Sequence, residues 1–164
     1  MQFRAEDYYK AGLERMRQAR IAYQEGRSFA LAMYCGGLAV ECLLRAFRWK
    51  EDQTFEGRHD LTELLKASRL LRIDDDYLRQ KNVSEEVIRD AGLKLRAAMN
   101  EVTILWHNNL RFASEARLRT FLHRIDRLRG VKGDAVKKNA FDLIDAAETV
   151  ITRGMVLWKS KTRS

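Results

Sequence analysis

The 22 residues from Ser28 to Trp49, SFALAMYCGGLAVECLLRAFRW, constrain this chain more than any other stretch. Wound as a helix, they are apolar on nearly every side. Such a helix is either enclosed by protein or spans a membrane. The uninterrupted apolar part, Phe29 to Val40, falls short of the roughly 20 residues a bilayer demands. The expectation is a central helix packed on several sides by other helices, with no membrane span.

The rest of the chain supplies those neighbours. Its 164 residues contain no proline, the residue that interrupts helices, and 46% are hydrophobic, enough for a core. Leu, Ala, Arg and Glu, all good helix formers, are abundant. The expected fold class is all-α, a helical bundle of about five to six helices. The absence of a linker or an internal repeat makes residues 1–164 a single domain.

The helices can be placed by their apolar spacing and their end signals. Ala5 to Glu25 carries Tyr9, Leu13, Met16, Ala19 and Tyr23 at steps of three and four, with Gly26 as its stop. Ser28 is placed to cap the central helix, so the two helices should form an antiparallel hairpin. Inside the central helix, Gly36-Gly37 costs about 1 kcal/mol per glycine against alanine. That cost makes sense if a neighbour approaches closely, either in tight helix packing or at a subunit interface or ligand. Glu41, in the same apolar stretch, needs a partner, and Arg45 at i+4 is available.

After a polar segment from Glu51 to His59, Asp60 followed by Glu63 reads as the cap of a short helix ending near Leu71. Asp74-Asp75-Asp76 reads as an acidic turn. Ser84-Glu85-Glu86 starts a helix that runs to about Trp106, weakened at Gly92. His107-Asn108-Asn109 breaks it. Ser114-Glu115 caps a helix with the stripe Leu118, Phe121, Leu122, Ile125 and Leu128. Gly130 and Gly133 bracket a turn, Asp134 opens the last helix, and Lys159–Ser164 should fray.

Charge and cysteine usage bear on function. The net charge is +8, and residues 108–138 alone hold nine Lys and Arg against Glu115, Asp126 and Asp134. A concentrated basic surface suits nucleic acid or a phosphorylated ligand, or it is a solvated face with no ligand. Cys35 and Cys42 lie about 10 Å apart along one helix, too far for a disulfide. The N-terminus, with Gln2, Arg4, Glu6 and Asp7, lacks a signal peptide's apolar segment, so the expected location is cytoplasmic. With no Cys/His/Asp cluster at metal-ligand spacing, neither a metal nor another cofactor is expected.

Three pieces resemble the HEPN superfamily of small helical bundles. They are Tyr34-Cys35-Gly36-Gly37-Leu38-Ala39-Val40-Glu41-Cys42-Leu43-Leu44-Arg45-Ala46, then Gly57-Arg58-His59-Asp60-Leu61, and Trp106 with Leu110-Arg111-Phe112, where Phe stands in place of a Tyr. The likeness spans roughly residues 5–113. It implies an up-and-down helical bundle, often a homodimer, in prokaryotic defence, toxin–antitoxin or nucleotide-related systems, with a cognate antitoxin or a nucleotidyltransferase-type protein as partner. Many members are metal-independent ribonucleases that use an Arg and, after four to six intervening residues, a His.

Arg117 and His123 fit that spacing and are the candidate catalytic pair. In such a pair, histidine moves the 2′-hydroxyl proton and arginine stabilises the charged phosphorus centre. On one continuous helix their side chains point about 120° apart, so convergence requires Arg117 to precede the helix. The candidate binding residues are Arg58, His59, Asp60, His107, Asn109, Arg111, Arg124 and Arg127. His59 also reads as a residue that steadies the loop into the short helix, and His107 as part of a helix-ending cluster. The favoured expectation is a non-catalytic protein binding RNA, a nucleotide or a partner protein through its basic region. The alternatives are a metal-independent ribonuclease and a structural accessory subunit.

Overall fold

A computed structural model describes residues 3–52 and 59–162. Among them there are seven α-helices, one 3-10 turn and no strand. The helices are α1 (Ala5–Glu25), α2 (Phe29–Glu51), α3 (Leu61–Ser68), α4 (Leu70–Gln80), α5 (Glu85–Leu105), α6 (Glu115–Arg124) and α7 (Ala135–Thr162). The 3-10 turn spans Asn108–Phe112, between α5 and α6. Only Arg69 separates α3 from α4, so the two form one kinked unit. The all-α bundle expected from the sequence is what forms.

α2 is the hub. It packs along α1 as a hairpin and also touches α7, α3, α5, α6 and the 3-10 turn. By length and composition alone it could cross a bilayer, but two thirds of its most apolar window is buried inside the bundle. Met33, Val40, Leu43 and Leu44 are fully enclosed. Each large side chain buried in this way contributes roughly 1.5–3 kcal/mol. The hairpin turn follows the local signals. Gly26 takes the left-handed conformation (φ +64°), and Ser28 Oγ accepts from the Leu31 N–H (3.2 Å).

The two central glycines answer to side chains within this same chain. A Cβ at Gly37 would fall inside the Trp106 indole, and one at Gly36 would lie 2.7 Å from Leu143 Cδ2. Trp106 Nε1 then donates to the Tyr34 carbonyl (3.1 Å). The close approach is therefore helix packing, which replaces the alternative of a subunit interface or ligand at this point. Backbone approaches closely at Gly12 instead, where a Cβ would sit 3.1 Å from the Ala39 carbonyl oxygen. At the far end of α2, Trp158 stacks on Tyr9 (4.7 Å between centroids) and meets Phe47 edge-on (5.5 Å).

Three expectations need correction. Asp74-Asp75-Asp76 is not a turn but lies within α4. Asp74 is buried and paired with Arg153 of α7, a long-range partner that sequence spacing does not reveal. The helix from Glu115 ends at Arg124, because Asp126 turns into positive φ (57°), so Leu128 lies beyond it. The last helix holds through residues 159–162 rather than fraying at Lys159. Its start is as read: Asp134 Oδ1 accepts from the Val136 and Lys137 N–H groups (3.0 and 3.1 Å).

Candidate functional site

The segment that leaves α5 is pinned at three points. Trp106 plugs the Gly37 notch, Leu110 is buried beneath the 3-10 turn, and Glu115 anchors the start of α6. The Glu115 carboxylate accepts from the Ala30 N–H (3.1 Å) and from Ser28 Oγ (3.2 Å), at the N-terminus of α2. A carboxylate there complements the helix dipole and satisfies an otherwise unpaired N–H. This use commits Glu115, the acid in the first turn of α6, to the start of α2.

Between the pinned segment and α6 lies a pocket of about 420 Å³. His107, Asn109 and Phe112 form one wall, and Arg117, Phe121 and Arg124 the other. On α6 the positions 117, 120, 121 and 124 follow the i, i+3, i+4, i+7 spacing of one helix face. No carboxylate lines the pocket, and among the described residues neither Arg117 nor Arg124 forms an ion pair. Phe112 is 76% exposed, with the Arg111 guanidinium 4.5 Å from its ring centroid. His107 Nδ1 accepts from the Asn109 N–H (3.1 Å), which puts the proton of the neutral ring on Nε2. The lining therefore includes two arginines, a histidine and an exposed phenylalanine, around a surface that is mostly apolar.

The structure brings together four of the residues picked from the sequence: His107, Asn109, Arg117 and Arg124. Arg111 does not line the pocket; its guanidinium lies over the ring of Phe112, which does. Arg127 is drawn off into an ion pair with Glu101 and lines a separate depression with Arg129, Lys132 and Lys138. Arg117 and His123 do not converge. α6 starts at Glu115, so Arg117 is inside the helix, and His123 is exposed and does not line the pocket. Arg117 faces His107 across the pocket instead.

His59 and Asp60 sit elsewhere. Asp60 Oδ1 caps α3, accepting from the Thr62 and Glu63 N–H groups (2.9 and 3.0 Å). His59 Nδ1 lies 2.9 Å from both oxygens of Glu41, whose Oε1 also accepts from Arg45 Nε (2.7 Å). Glu41 is buried, so this cluster compensates a charge removed from water. Arg58 and Gly57 lie outside the described residues. Phe121 was legible only as part of the core stripe. The structure buries Leu118 and Leu122 fully and leaves Phe121 half-exposed on the pocket side.

Both cysteines are unpaired thiols. Burial, and secondarily the Glu41 charge, pushes Cys42 up to about 11, and burial raises Cys35 as well. Neither thiol is primed for nucleophilic chemistry, which needs the thiolate. Among the described residues no group of His, Cys, Asp and Glu could hold a metal ion. No protein-family model, curated protein or solved structure matches this chain.

Proposed function

We propose that the chain binds a nucleotide or single-stranded RNA, without cleaving it, in the pocket between the 3-10 turn and α6. One observation carries this reading: Arg117 and Arg124 converge with His107 on a pocket that no carboxylate lines. Arginine forks suit phosphate oxygens, and an exposed phenyl ring with a guanidinium on one face offers its other face to a base. The resemblance of the Gly36-Gly37 helix and of His59-Asp60-Leu61 to HEPN proteins fits a role in a prokaryotic defence or toxin–antitoxin system, with a homodimer and a cognate protein partner.

The tautomer of His107 favours binding over cleavage. A general base needs a ring lone pair facing the 2′-hydroxyl. Here Nδ1 is occupied by the Asn109 N–H, and Nε2 presents its hydrogen, a donor to phosphate. Metal-independent ribonuclease action is the runner-up and would call for a rearranged ring.

The test is fluorescence anisotropy with single-stranded RNA across a salt series, and gel sizing of the same RNA after incubation in EDTA. Two guanidinium contacts predict a log–log salt slope of about −1.4 or steeper. The double reversal Arg117→Glu, Arg124→Glu should weaken binding at least tenfold, with the RNA intact throughout. Fragments that vanish in His107→Ala would establish the ribonuclease reading. Wild-type binding by the double variant would remove the pocket from the account.

A further inference from the structure

A second basic groove, outside the region where the sequence concentrates its charge, lies between the α3–α4 kink and α5. It has a volume of about 500 Å³, and its lining includes Lys66, Arg69, Arg72, Arg96, Asn100 and Thr103 but no acidic residue. Lys66 and Arg72 pair with Glu63 (3.0 Å) and Asp76 (3.9 Å), all four largely exposed, and Arg69 lies 3.6 Å from Glu51. Such solvent-screened pairs are weak and give way readily to a phosphate. Arg96 has no ion-pair partner among the described residues. Arg69 holds a left-handed backbone (φ 55°) that glycine would adopt more easily, and its side chain lines the groove at the kink. Leu65, Leu71 and Met99 supply an apolar floor.

The groove has one wall on α5, and the segment that leaves α5 carries His107 to the pocket. Arg96, Asn100 and Thr103 share one face of α5 at i, i+4 and i+7, a run of about 10 Å. His107, on the pocket wall, comes four residues after Thr103. The helix continues almost to that point, so their Cα atoms lie within about 9 Å. From Arg96 to His107 the two cationic sites span up to about 20 Å, too long for one nucleotide. Oligonucleotide sites on small domains begin at about 4 nucleotides. Asn100 adds a neutral polar side chain between the cations, the Thr103 hydroxyl donating to the Met99 carbonyl (2.8 Å), and no acidic lining residue interrupts the series.

We infer that the α3–α4/α5 groove is a second phosphate-binding subsite, and that the ligand is a single-stranded oligonucleotide running from it along α5 into the His107 pocket. The inference rests on the proposed function and names its ligand class. Arg72 and Arg96 hold backbone phosphates by charge, while the pocket takes a phosphate and a base.

The test compares a 5′-phosphorylated uridine dinucleotide with a ten-residue oligouridine, on the wild-type chain, on Arg72→Glu, Arg96→Glu, and on Arg117→Glu, Arg124→Glu. Both pairs of side chains are exposed, and circular dichroism confirms folding. The expected result is that Arg72→Glu, Arg96→Glu binds the decamer at least tenfold more weakly. Its salt slope should be shallower by about 1.4, with dinucleotide affinity unchanged. If that variant binds the decamer with wild-type affinity and slope while Arg117→Glu, Arg124→Glu loses it, the subsite is overturned and the pocket reading stands. If the wild-type chain binds neither length, both are overturned.

Discussion

Two places in this molecule set histidine beside arginine, and they do opposite things with the charge. In the first, His59 and Arg45 close on the carboxylate of Glu41, which is buried within the bundle. In the second, His107 faces Arg117 and Arg124 across a pocket that no carboxylate lines, because Glu115 is held at the start of α2. Cations around a buried acid compensate its charge; cations gathered without one leave room for an anionic ligand, which is the ground of the proposed function. Residue type and spacing look alike in the two cases, and the position of the nearest carboxylate separates them.

The sharpest way to break the comparison is to remove the buried acid. Glu41→Ala removes the buried carboxylate that accepts from Arg45 and meets the half-exposed His59 and should cost about 3 kcal/mol. For a chain this long that is roughly 6–12 °C in Tm by differential scanning calorimetry. RNA affinity of the folded fraction should not change. An unchanged Tm would mean that the cluster is not structural.

Gly37→Ala comes next and should affect both regions. The new methyl group would collide with Trp106, costing about 1–3 kcal/mol through overpacking against a helix-propensity gain of about 1. Since Trp106 carries the pocket wall, RNA affinity should fall with Tm. A variant that loses stability yet binds RNA normally would uncouple the notch from the pocket.

Arg117→Glu with Arg124→Glu is the mirror image of Glu41→Ala. Both side chains are exposed, so Tm should move by the equivalent of less than about 0.5 kcal/mol per site while binding drops. A large loss of stability would place these arginines in the structural class.

The smallest effect concerns Cys42. With its thiol pushed up to about 11, only about a thousandth is thiolate at pH 8, so alkylation of the native protein should be slow and should quicken as pH rises towards that value. Glu41→Ala removes the neighbouring negative charge, lowers the thiol pKa and should speed labelling at pH 8. Equal rates in the two proteins would discount the Glu41 contribution.

The fold was largely legible because its signals are local. Ser28, Asp60, Ser114 and Asp134 each cap the helix that the sequence assigned to them, and Gly26 stops α1. The misreadings share a cause in tertiary contact. Three consecutive aspartates look like a solvated turn until Arg153, 79 residues on, pairs with the first of them. Gly36-Gly37 announced a close neighbour without saying that it was Leu143 and Trp106 of the same chain.

The pocket was half legible. The i, i+3, i+4, i+7 spacing of Arg117, Thr120, Phe121 and Arg124 is in the sequence, and Phe121 serves twice, packed against the core as the apolar stripe of α6 predicts and lining the pocket. The Arg117–His123 spacing joins two side chains that α6 sends to different faces, and His123 lies outside the pocket lining. The groove at Arg96 escaped notice because its cations come from three separate helices and a kink, so no local charge run marks them.

The chain has only three histidines, and each stands for one reading: His59 for the structural cluster, His107 for the pocket and His123 for the Arg-to-His spacing. Histidine-ring NMR during titration with a 5′-phosphorylated uridine dinucleotide therefore tests the central claim most directly. The account predicts that the His107 resonances shift most, with His59 unmoved. A silent His107, or a larger response at His59 or His123, would contradict it.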